Sequence, residues 1–149
     1  MLSEKEILNL KKELNLFCQF PDRPELINSS REFLEIYTRC INKLNQLALE
    51  RNSKYLAKQT NELPFFNNQE VKLFISQKRK EVSFLEMFFK GFYIIYSFLL
   101  VRNTFQNIQN KMKKMQFLTK RLIDLVENPN LEQAYTQVEE KTPKIKSIL

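Results

Sequence analysis

Apolar residues recur along most of this chain at spacings of three and four, the pattern of a helix with one buried stripe. Ile7, Leu10, Leu14 and Phe17 follow it and predict a helix from about Ser3 to Phe20. Leu34, Tyr37, Ile41, Leu44 and Ala48 repeat it and predict a second helix from Ser29 to about Asn61. The pattern thins across the polar stretch Glu50–Lys54, so the last turns of that helix are expected to project beyond the bundle. Residues 67–127 hold no proline and a single glycine, Gly91. They read as one helix of about 90 Å or as two helices with a tight break, near Lys80–Ser83 or near Arg102–Thr104. A break is expected, because a domain of this size cannot cover so long a rod. A short helix from Asn130 to about Glu140 follows.

The helix starts share one grammar, in which a side-chain oxygen at the cap accepts from exposed amides and a Glu or Gln three residues on answers it. The sites are Ser3 with Glu6, Ser29 with Glu32, Asn67 with Glu70, Asn130 with Gln133, and Ser83 with Glu86 as a further candidate. Pro21, Pro24, Pro64, Pro129 and Pro143 all fall between or after these helices, where a missing amide costs nothing. The expected fold is all-α: an antiparallel bundle of four main helices plus a short C-terminal helix. It forms a single domain over residues 1–140, with a flexible basic tail over 141–149.

Residues 82–101, VSFLEMFFKGFYIIYSFLLV, break the amphipathic rule, with 15 apolar residues in 20 and Glu86 and Lys90 the only charges. A helix apolar on every side is usually buried on every side, so the favoured reading places this segment at the centre of the bundle. A second reading has another protein cover one side, through Phe84, Phe88, Phe92 and Tyr96 as docking residues. The third is a membrane span, opposed by Lys90 near the middle at about 2.5–3.5 kcal/mol on insertion scales.

Composition narrows the chemistry. The 149 residues include no histidine, no tryptophan and one glycine. One glycine cannot build a phosphate-cradling loop or a dinucleotide turn. Without histidine there is neither a Ser-His nor a Cys-His nucleophile pair, and no His metal ligand. Cys18 and Cys40 are too few for a zinc site and read as buried small hydrophobes, with a disulfide between them as the alternative in an oxidising compartment. No carboxylate pair stands in an apolar setting as acid and base; Glu86 has Lys90 one turn away. The expectation is no enzyme, no cofactor, no metal and no small-molecule substrate. Met1–Lys12 carries Glu4 and Glu6 among its lysines and no apolar run, so it does not read as a targeting segment, and an intracellular, cytoplasmic location is expected.

Charge then singles out one region. The net charge is +7, and residues 87–123 carry all of it: Lys90, Arg102, Lys111, Lys113, Lys114, Lys120 and Arg121, with no acid among them. Stepping 100° per residue along a helix from Arg102 to Val126 puts Phe105, Ile108, Met112, Met115, Leu118, Leu122, Leu125 and Val126 on one face. The opposite face collects Arg102, Asn103, Gln106, Asn110, Lys113, Lys114, Lys120 and Arg121, with Lys111 at its margin. Cations interleaved with neutral amides suit a phosphate backbone, the cations displacing counterions and the amides bonding oxygens. Phe117 falls amid this polar face, where it either stacks on an unpaired base or packs against the last helix or the tail.

The function expected is a non-catalytic basic subunit of a larger assembly that holds nucleic-acid backbone without sequence readout. Small basic helical subunits of RNA-guided effector complexes are similar in general build, a likeness of class with no residue motif behind it. The alternatives are a purely protein-binding adaptor or chaperone, whose basic face meets an acidic partner, and a membrane-associated protein using residues 82–101.

Overall fold

The computed structural model describes the backbone of residues 1–79 and 92–141, with the side chains of residues 1–78 and 103–138. Among them every regular element is a helix: α1 (Glu4–Gln19), α2 (Ser30–Glu50), α3 (Lys54–Asn61), α4 (Asn68–Arg79), α5 (Phe92–Glu127) and α6 (Leu131–Lys141), plus a 3-10 turn at Pro24–Leu26. Three of the expected caps are in place. The Glu6 amide donates to Ser3 Oγ at 3.2 Å and the Glu32 amide to Ser29 Oγ at 3.1 Å. At α4 the box is reciprocal, with the Glu70 amide on Asn67 Oδ1 at 2.8 Å and the Asn67 amide on Glu70 Oε1 at 3.0 Å. The Asn130–Gln133 box does not form. The Asn130 amide donates instead to Asn128 Oδ1 at 3.2 Å, and the chain enters α6 through a turn over Asn128 and Pro129. The Ser83–Glu86 candidate lies outside the described residues.

The helices pack antiparallel, as their pairwise contacts show. Arg39 of α2 reaches Glu13 of α1 while Phe33 meets Phe17, so the two run in opposite directions. Gln116 of α5 bonds the Cys18 carbonyl at 2.8 Å while Lys11 lies 3.5 Å from Glu127, so α5 opposes α1. Lys111 meets Glu70 and Phe105 meets Phe74, so α5 also opposes α4. The long helix is thus shared: its C-terminal half closes on α1, and the turns before it run alongside α4, past the end of α1. The core gathers where these helices meet, around Leu10, Leu14, Phe17, Phe20, Phe33, Leu44, Phe74, Met112, Met115 and Leu122, all at most 1% exposed. Phe33 stands among four rings, those of Phe17, Phe20, Tyr37 and Phe66, with centroids at 5.0–5.5 Å.

Several expectations are corrected. The buried stripe of α2 is Phe33, Tyr37, Cys40, Leu44, Leu47 and Ala48, while Leu34 and Ile41 are half-buried at its edge. Both stripes have helical spacing, and the ring contacts of Phe33 decide between them. The continuous α5 excludes a break at Arg102–Thr104; Lys80–Ser83 lies outside the described residues. The expectation that segment 82–101 lies at the centre of the bundle falls on side chains outside the described residues; of this segment the backbone of 92–101 is described, as the first turns of α5. Among the described residues no helix is long and apolar enough to cross a membrane.

The second helix also ends early. It stops at Glu50 because Asn52 adopts a left-handed φ of 51°, a conformation its short polar side chain tolerates. Ser53 then caps a new helix, accepting from the Leu56 amide at 3.0 Å and donating to Glu132 Oε1 at 2.6 Å. The turns expected to project instead fold back as α3, which buries Tyr55, Leu56, Gln59 and Thr60. Beside the elbow, Arg51 donates through both terminal nitrogens to the Leu125 and Val126 carbonyls at 3.1 and 3.0 Å. These carbonyls lie in the last turn of α5, where the helix leaves them without amide partners and where positive charge is favoured. Burial pulls the Arg51 pKa down, and Glu132 and Glu50 oppose that shift.

Both cysteines are free thiols; Cys40 is buried, whereas Cys18 is half-buried, against the expectation for it. Burial pushes the Cys40 thiol up to about 12, with the Glu13 carboxylate adding to the rise. The unfolded thiol, with its ordinary value of 9.0, ionises first, so the stability linked to Cys40 is full below about pH 9 and is lost as pH climbs toward 12. Chemical denaturation across that range should give a steeper decline for the wild type than for Cys40→Val. Loss of the Ser53 cap in Ser53→Ala should cost about 1–2 kcal/mol, read as a lower urea midpoint at unchanged slope. Asn52→Val should cost about as much, while Asn52→Gly is tolerated.

Candidate nucleic-acid interface

Helix α5 has two faces. Ile108, Met112, Met115, Leu118, Leu122, Leu125 and Val126 are buried, and Phe105 is half-buried against Phe74 at 6.1 Å between centroids. Opposite them Asn103, Gln106, Asn110, Lys113, Lys114, Phe117 and Lys120 are exposed. The division follows from sequence, since each apolar residue on the inner face removes from water an area that a Lys or Asn would have to leave solvated. From Gln106 to Lys120 the outer face runs about 21 Å at 1.5 Å per residue.

The predicted residues do not all stand alike. Lys113, Lys114 and Lys120 make no ion pair among the described residues, so their charges face solvent. Gln106 and Asn110 lie on the same outer face with their amides exposed. Arg121 is half-buried, its guanidinium carbon 5.1 Å from the Phe117 ring centroid and 5.0 Å from that of Tyr135 on α6. Tyr135 in turn stacks on Tyr55 of α3 at 6.3 Å. Arg121 is therefore a structural clamp between α5 and α6 as much as a surface cation. Phe117 remains 60% exposed despite that contact. Arg102 lies on α5 with its side chain outside the described residues. The same holds for Phe92 and Tyr96, while Phe84 and Phe88 lie wholly outside them.

Two charges bound this face. Lys111, at its margin, donates to Glu70 Oε2 at 2.7 Å and to the Phe65 carbonyl at 3.0 Å, so its charge is already matched. On the other side Gln116 donates to Asp22 Oδ2 at 2.9 Å, which ties the end of α1 to α5. Sequence reasoning missed Phe65, which is 78% exposed on the loop before α4, next to Lys111. The signal was the pair Phe65–Phe66, because adjacent residues in an extended loop point opposite ways and only one can enter the core.

An open groove of about 770 Å³ lies instead on the outer face of α2, lined by Leu34, Thr38, Asn42 and three cations. Those cations are occupied: Arg31 on Glu35 at 3.2 Å, and Arg39 and Lys43 on Glu13 at 3.1 and 3.9 Å. Arg39 and Lys43 share the one Glu13 carboxylate, so each cation of this groove has an acid in reach, unlike Lys113, Lys114 and Lys120 of α5. Among the described residues no group of three or more His, Cys, Asp or Glu is placed to hold a metal ion. Compared with protein-family models, curated proteins and solved structures, the chain gives no match.

The two adjacent phenylalanines give a test of this geometry. Phe66, 3% exposed, packs on Phe33 and Tyr37 at 5.5 Å. Phe66→Ala should cost about 3–5 kcal/mol, whereas Phe65→Ala should stay within about 0.5 kcal/mol of wild type. Equal losses in a urea titration would refute the assignment of one ring to the core and the other to solvent.

Proposed function

We propose that this chain is a non-catalytic, basic helical subunit that holds nucleic-acid backbone along the outer face of α5 without reading base sequence. The observation that carries the proposal is the state of Lys113, Lys114 and Lys120. They are exposed and unpaired among the described residues, on a helix without a carboxylate from Phe92 to Ile123. Gln106 and Asn110 supply neutral donors in line with them. Such a surface lowers its own free energy by exchanging a phosphate chain's condensed counterions for fixed ammonium groups. A role inside a larger assembly is supported by the apolar segment 82–101, which carries more apolar side chains than a lone helix can shield.

The test is binding of a labelled oligothymidylate and a labelled duplex across a salt series. Three lysines on phosphates predict a slope of about −2 in log K against log salt for the single strand. Lys113→Glu with Lys114→Glu and Lys120→Glu should abolish binding at unchanged helicity. Arg121 is kept, since its loss would also disturb α6. Unaltered binding by that triple variant, or no binding by the wild type, would overturn the proposal.

A further inference from the structure

Among the described residues the exposed phenylalanine rings are Phe65, at 78%, and Phe117, at 60%. Phe117 lies within the cationic face of α5, and Phe65 is tied to the margin of that face through its carbonyl. Lys114 is three residues from Phe117 in one direction and three from Lys111 in the other, and such i,i+3 neighbours lie side by side on a helix surface. Lys111 holds the Phe65 carbonyl at 3.0 Å. A line drawn obliquely across α5 thus meets an exposed ring, an unpaired ammonium group and a second exposed ring.

Neither ring is left to chance. The Pro64 carbonyl accepts from the Tyr37 hydroxyl at 2.7 Å, the Phe65 carbonyl accepts from Lys111, and Phe66 is locked into the core. With the backbone held on both sides, the Phe65 side chain is turned outward by a fixed loop. Phe117 is steadied from one side by Arg121. Apolar rings that stay in water on ordered backbone, next to free cations, fit the faces of unpaired bases, which stack on aromatic side chains whatever their sequence. A duplex keeps its bases in its own stack and presents phosphate alone.

Resting on the backbone reading above, we infer that Phe65 and Phe117 are stacking platforms on either side of Lys114, and that the face takes a single strand in preference to a duplex. The strand crosses α5 obliquely, with a base on each ring and a phosphate on Lys114 between them.

The chain has no tryptophan, which makes the inference directly readable. Phe65→Trp and Phe117→Trp each introduce one indole, and titration with oligothymidylate should quench both as bases stack on them. In anisotropy titrations Phe65→Ala and Phe117→Ala should each weaken oligothymidylate binding by about tenfold. Duplex binding should not change, and Phe65→Tyr should restore the strand affinity lost in Phe65→Ala. If the wild type binds both nucleic acids but the indoles stay unquenched, or if the alanine variants weaken strand and duplex equally, the platforms are refuted and the backbone reading stands. If the wild type binds neither, and polyglutamate alone binds the lysine face, both readings fall in favour of an acidic protein partner.

Discussion

Where α2 meets α3, the chain brings three helix ends to within hydrogen-bonding reach of three consecutive residues. Arg51 closes the last carbonyls of α5, Asn52 reverses the chain, and Ser53 opens α3 while gripping Glu132 in the first turn of α6. Each helix end would otherwise leave polar groups without partners in a partly dry setting. Meeting those demands with one short elbow fixes the angle of α3, the end of α5 and the docking of α6 together. The Tyr55–Tyr135 stack and the Arg121 sandwich then extend the same junction outward.

From that junction α5 runs back through the molecule and gives each of its faces a separate task. Its inner face completes a core whose centre is aromatic, and the flat rings of Phe17, Phe33, Tyr37 and Phe66 interlock mostly edge to face. Its outer face is free of packing duties, so its lysines are not needed to hold the fold. Other cations are treated differently: Lys111, at the margin of this face, is matched by Glu70, and Arg39 on α2 by Glu13. Lys113, Lys114 and Lys120 thus stand uncommitted together on one acid-free face, a grouping that the sum over the sequence does not reveal.

Much of the architecture was legible because helix caps are short-range chemistry. Ser3, Ser29 and Asn67 act on amides three residues away, so the residues that decide them sit close together in the chain. The elbow was not legible, since Asn52 and Ser53 look like any polar pair until Glu132 and the α5 carbonyls, far away in sequence, arrive to bond them. The α2 stripe was legible at Tyr37, Leu44 and Ala48 but not at its start, as Phe33 and Leu34 serve the periodicity equally and only the rings of Phe17 and Phe20 distinguish them. On the candidate site, periodicity alone exposed Lys113, Lys114, Phe117 and Lys120. The pairing of Lys111 and the capture of Arg121 by Tyr135 depend on tertiary neighbours.

The length of α5 has a mechanical side. It is a rod of about 54 Å, gripped over its C-terminal half by α1 and by the Arg51 clamp, and it continues as helix well beyond the end of α1. A helix resists bending over such a span, so the far end behaves as the arm of a lever. A pivot of about 5° at the gripped half displaces the Phe92 end by roughly 3 Å. The bearing of the lysine-bearing face is therefore coupled, through one unbroken helix, to the position of its Phe92 end.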